Sequence, residues 1–139
     1  MKSNYSTKWV SDMAFETEIN GHKILMDANE DFGGHNLGPR PKPLLISALT
    51  GCTGMDVVSI LKKMHVEVDT FEIKTEAEMT EEHPKTYSKI HLIYEFSGKN
   101  LDEGKIQKAV SLSQDKYCGV SELLKKGLEL TYEIKLLNN

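Results

Sequence analysis

An α+β fold is predicted by three features of this 139-residue chain: period-two apolar runs near both ends, one long apolar stretch between them, and two shorter amphipathic stretches before the last run. The expected order is βββ-α-ββ-αα-β, in a single domain over residues 1–139, because one core typically serves roughly 100–200 residues. Hydrophobic residues make up 39% of the chain, enough to form a core.

Tyr5 to Val10 and Phe15 to Ile19 are β-rich, and Asn20-Gly21 then leads into His22 to Met26. Asn-Gly suits the positive φ angles of a type I′ turn, so these runs form a three-stranded meander. Phe32 to Pro43 is crowded with glycine and proline and reads as a loop, Pro43 suiting a helix's first turn. From Leu44 to Met64 the apolar positions nearly encircle a helical axis, which places this long helix at the centre of the molecule or between two subunits. Val66 to Thr75 and Thr86 to Phe96 form a long hairpin joined by the polar stretch Glu76 to Lys85. In its second strand Ile90, Leu92, Tyr94 and Phe96 share one face. Asn100 to Glu103 begins a helix carrying Ile106, Ala109, Val110 and Leu112, which ends before Cys118. A short helix over Gly119 to Lys126 stops at Gly127, and a strand from Leu128 to Leu136 alternates strictly.

A net charge of −4 and a pI near 5.7 give no positive field to attract nucleic acid or a membrane surface. No secretory leader and no charge-free apolar run of 18 residues is evident, so a soluble cytoplasmic protein is expected. In that reducing compartment two cysteines point to catalysis, redox sensing or plain burial rather than a permanent staple.

Cys52 lies in a helix between Gly51 and Gly54, each costing about 1 kcal/mol relative to alanine. Two explanations stand: the glycines let another backbone pack closely, or they open room for a substrate at the sulfur. Cys118 precedes a short helix, where backbone amides favour a thiolate, the nucleophilic form; the alternative is a small core residue. His22, His35, His65, His83 and His91 form no zinc-binding pattern, so neither a metal nor a resident cofactor is expected.

Gly38-Pro39-Arg40-Pro41-Lys42-Pro43-Leu44-Leu45, leading to Ala48-Leu49-Thr50-Gly51-Cys52, resembles the approach to the central helix in the OsmC/Ohr family. Lys116-Tyr117-Cys118-Gly119-Val120-Ser121 is similar to that family's later cysteine motif, and the element order agrees across almost the whole chain. The resemblance implies an intertwined homodimer with buried central helices and active sites at the subunit interface. It also implies a function: Cys52 as the peroxidatic thiol attacking an organic hydroperoxide, Cys118 as the resolving thiol, and an external dithiol as reductant. A direct disulfide needs the two Cα atoms about 4.4–6.8 Å apart.

Two positions depart from the family's peroxidases. Lys42 stands where a glutamate is expected, and the first three strands hold Lys8 and Lys23 but no arginine. Arg40, the chain's one arginine, is the candidate replacement as thiolate-stabilising cation; the alternative is an ordinary solvated side chain. The rival function is a non-enzymatic dimer of the same fold that binds a small hydrophobic molecule in its interface cavity, with Cys52 as packing.

Overall fold

A computed structural model describes residues 1–138, in two compact units, the first of residues 1–47 and the second from residue 48 onward. In the first unit strands β1 (Ser6–Ser11), β2 (Ala14–Ile19) and β3 (His22–Met26) form an antiparallel meander in that order. Asn20 and Gly21 turn the β2–β3 corner with φ of 52° and 80°, the left-handed pair that the sequence predicts. The following loop contains a 3-10 turn, Glu30–Phe32, and is tied to Asp27. Its carboxylate accepts from the backbone N–H groups of Ala28, His35 and Leu37 at 2.8, 3.0 and 3.2 Å. A Cβ on Gly34 would lie 2.1 Å from the carbonyl oxygen of Ala28, and one on Gly38 would lie 2.0 Å from that of Leu25. These glycines therefore serve close backbone approach, and backbone hydrogen bonds hold the loop.

Helix α1 (Pro41–Lys63) begins in the first unit and runs into the second. It starts three residues before the predicted Leu44, because proline is tolerated throughout a first helical turn, where backbone N–H groups have no intrahelical acceptor. It ends in a Schellman motif. His65 adopts φ 59°, its N–H donates to the Lys62 carbonyl, and the Val66 N–H donates to that of Leu61. Lys62 and Lys63 add favourable positive charge in the last turn.

The second unit holds the sheet β4 (Thr70–Met79), β5 (Tyr87–Gly98) and β6 (Glu129–Asn138), with β5 in the middle, antiparallel to β4 and parallel to β6. Parallel pairing requires a crossover, which α2 (Glu103–Leu112), a π turn (Ser113–Tyr117) and α3 (Gly119–Leu124) provide. Asp102 caps α2 by accepting from the Lys105 N–H. Ile90, Leu92, Tyr94 and Phe96 of β5 are all fully buried. They oppose Ala77, Thr75, Ile73 and Phe71 of β4, and the Phe71 and Phe96 rings stack with centroids 4.3 Å apart. The observed order is the predicted one, and the fold class is α+β.

Helix α1 buries the stripe Leu49, Thr53, Val57 and Leu61, leaving Leu45, Met55 and Val58 exposed on the single chain. It is long and apolar enough by composition to cross a bilayer. Its buried stripe nevertheless meets the sheet, where Thr53 bonds the Tyr94 hydroxyl.

Candidate functional site

Cys52 sits at mid-helix in α1, beside the buried stripe, and is half-buried. One turn later on the same face stands Asp56. Cys118 is the N-cap of α3 and is buried; its Sγ accepts from the Ser121 N–H at 3.4 Å. The crossover returns Cys118 to α1, so that both sulfurs and an Asp56 carboxylate oxygen all lie within 4.8 Å of one another. Both cysteines are free thiols.

The π turn sets this approach. Its last bond runs from the Cys118 N–H to the Ser113 carbonyl at 2.7 Å, while the Ser113 hydroxyl donates to Asp56 Oδ2 at 2.9 Å. Ser113 thus bonds the neighbours of both sulfurs. Such single-turn π segments recur at functional sites, where the extra residue redirects the chain.

Behind Asp56 runs a buried polar chain. An ionised carboxylate only accepts, so Ser113 donates to it; Thr53 Oγ1 then donates to Ser113 Oγ at 2.7 Å, and the Tyr94 hydroxyl to Thr53 at 2.7 Å. Gln114 Nε2 completes the sequence by donating to the Tyr94 oxygen at 2.7 Å. Every hydroxyl donates once in this assignment. Burial pushes the Tyr94 hydroxyl up to about 12, with hydrogen bonding to Thr53 and Gln114 offsetting part of the effect. The chain is therefore a set of neutral groups ending on one charge.

Burial also pushes the Cys52 thiol above its ordinary pKa, and hydrogen bonding to Cys118 and the charge of Asp56 act in the same direction. Opposing them, the backbone N–H of Val120 at the start of α3 hydrogen-bonds the Cys52 sulfur and favours the thiolate. The two sulfurs thus share a hydrogen bond.

Cys52 and Cys118, 66 positions apart in sequence, are thus adjacent. Arg40 belongs to the loop of the first unit, where Nη1 donates to the Gly38 carbonyl at 2.9 Å and Nη2 to Asn36 Oδ1 at 2.7 Å. Sequence reasoning missed Asp56 and Ser113. The four-residue spacing of Cys52 and Asp56 was the available signal; nothing local marked Ser113.

The glycines flanking Cys52 differ. A Cβ on Gly51 would meet nothing within 4 Å, whereas one on Gly54 would touch Ile73 Cδ1 at 3.4 Å. Among the described residues no other backbone presses on either glycine, so their smallness leaves space beside the helix. That space belongs to a groove of about 680 Å³ lined by Gly51, Gly54, Met55, Val58, Phe71 and Ile73.

The family profile described as OsmC-like protein matches residues 34–133, a span containing both cysteines and Asp56. Protein YhfA of Escherichia coli K12 is 35% identical over 131 residues, covering 94% of this chain and 95% of its own length. A hypothetical protein from Aquifex aeolicus VF5 is 28% identical, with a TM-score of 0.81 over 99% of each chain. The organic hydroperoxide resistance protein OhrB of Bacillus subtilis shares 16% identity and has a TM-score of 0.67, over 97% of this chain and 98% of its own; that likeness is one of fold.

Proposed function

From the premise that the chain belongs to the OsmC-like protein family, we propose that it is a two-cysteine, thiol-dependent peroxidase for organic hydroperoxides. The observation that carries this reading is the approach of the Cys52 and Cys118 sulfurs to within 4.8 Å. Solved structures of the same fold named as organic hydroperoxide resistance proteins support the substrate class.

The half-buried Cys52 is the attacking thiol and the buried Cys118 the resolving one. Cys52 loses its proton, and its thiolate attacks the terminal hydroperoxide oxygen. An S–O bond forms, the O–O bond breaks, and the alkoxide takes a proton to leave as an alcohol. Cys118, as its thiolate, then attacks the sulfenic sulfur; the disulfide forms and hydroxide departs as water. A dithiol from outside the protein supplies two electrons to restore the pair. No resident cofactor enters the cycle.

With Lys42 in place of the family glutamate, the Val120 N–H is one local group favouring the Cys52 thiolate. Arg40, bonded within its own loop, is assigned the auxiliary role of thiolate-stabilising cation. An unchanged ionisation pH of Cys52 in Arg40→Ala removes that assignment.

The working unit is a homodimer. Leu45, Met55 and Val58 leave an apolar face on α1 that a second copy would cover, and that coverage explains a helix apolar nearly all round. A pair of free thiols in mutual reach suits the reducing cytoplasm.

The test is turnover of an alkyl hydroperoxide with a dithiol, comparing wild type and Cys52→Ser. Loss of at least a hundredfold in the variant is expected; equal slow peroxide loss by both sinks the proposal, and a hydrophobic molecule retained in native mass spectrometry would then favour the ligand-binding alternative.

A further inference from the structure

We propose that Cys52, Cys118 and Asp56 form a three-ligand site for a thiophilic divalent cation, zinc being the best fit, with the fourth coordination position open. The inference goes beyond the peroxidase reading and requires no oxidation of either thiol.

Three observations carry it. The first is the donor set: two sulfurs and one carboxylate oxygen, which is softer than the all-oxygen surroundings preferred by magnesium or calcium and suits zinc. The second is geometry. Zinc lies about 2.3 Å from sulfur and about 2.0–2.2 Å from carboxylate oxygen, so tetrahedral ligands are roughly 3.3–3.8 Å apart. All three donors already lie within 4.8 Å of one another, so the widest pair would close by about 1 Å, within the range of side-chain torsions at Cys52 and Asp56. The third is outer support. Ser113 Oγ donates to Asp56 Oδ2 at 2.9 Å and is itself held by Thr53, while the Ser121 N–H bonds the Cys118 sulfur. One carboxylate oxygen is therefore oriented by the protein, as ligands of metal sites usually are.

Two ligands come from successive turns of α1 and the third from the start of α3, so the ion would join segments 66 residues apart in sequence. No local motif announces such a site, which is why the scattered histidines argued against a metal. Binding would release the two thiol protons to solvent, and the cation would offset the charge of the resulting thiolates and of the carboxylate while occupying both sulfurs.

The test uses the full-length, reduced, metal-free protein titrated anaerobically with Co²⁺, without peroxide, followed by displacement with Zn²⁺. Wild type is expected to take one Co²⁺ per chain and to show the near-ultraviolet sulfur-to-cobalt charge-transfer absorption of two thiolates. Cys52→Ser and Cys118→Ser should each weaken binding at least a hundredfold. Asp56→Asn should weaken it at least tenfold while retaining the sulfur bands, and Ser113→Ala should weaken it about tenfold. Absence of charge-transfer absorption in wild type overturns the proposal, as does undiminished affinity in Asp56→Asn. Because wild-type absorption alone decides the first point, a variant that fails to fold leaves the test intact. Inactivity toward peroxide leaves this site standing, and failure to bind cobalt leaves the peroxidase standing.

Discussion

Around Cys52 the surroundings oppose one another: burial, the Cys118 thiol and the Asp56 charge raise its pKa, while the Val120 N–H lowers it. Removing the Asp56 charge tips this contest, so Asp56→Asn should move the pH midpoint of Cys52 alkylation downward and speed alkylation near neutral pH. Rates from peptide mass spectrometry check this; an unchanged or raised midpoint contradicts it. The two thiols were legible in the sequence because each carries a recognisable motif. Asp56 was not, because a lone acid on an apolar helix reads as a solvated side chain until Ser113 is seen to hold it. Asp27 shows the converse balance. Burial raises its pKa, but three backbone N–H groups outweigh that effect and hold it below the ordinary carboxylate value. Its stabilising contribution is then fully present above the ordinary Asp pKa and is lost as pH falls through the depressed folded value. Melting temperature measured from pH 7 to pH 3 should fall less steeply in Asp27→Asn than in wild type; parallel curves refute the assignment.

At the level of elements, the buried chain through Ser113, Thr53, Tyr94 and Gln114 joins α1, β5 and the π turn. Thr53→Val keeps the side chain's shape but leaves the Tyr94 hydroxyl without its acceptor and Ser113 without its donor. The cost expected for such buried groups is about 1–3 kcal/mol. Each kcal/mol corresponds to roughly 2–4 °C in melting temperature for domains somewhat larger than this one, so a thermal melt reads the loss; a variant melting with wild type contradicts the assigned network. Element order was legible because hydrophobic period survives in each segment. Boundaries were less so. The first hairpin strand was predicted at Val66–Thr75 but runs Thr70–Met79, since Val66 closes the α1 Schellman motif despite its β preference. The polar residues Glu76 and Glu78 are strand, paired with His91 and Lys89 of β5. Cross-strand pairing there overrides a composition that looks like a turn.

For the whole molecule, the feature needing explanation is an α1 surface that one chain leaves apolar, with Met55 76% exposed and Val58 53% exposed. A second copy over this face predicts a dimer in sedimentation, and Met55→Glu should shift it toward monomer without loss of helix content, because the residue is solvated in the single chain. A monomeric wild type, or a charged variant that remains fully dimeric, contradicts the proposed interface. The helix's all-round apolarity was plain in the sequence, which also allowed a place between subunits; what sequence did not reveal is that the chain's own packing covers only one stripe. The peroxidase itself is tested by one anaerobic turnover: the reduced protein receives one equivalent of alkyl hydroperoxide, is quenched with a thiol-blocking reagent, digested without reduction and weighed by mass spectrometry. A linked Cys52–Cys118 peptide pair in wild type, with sulfenic acid trapped at Cys52 in Cys118→Ser, is the predicted result. Both thiols recovered blocked and unoxidised, with the hydroperoxide intact, would contradict it.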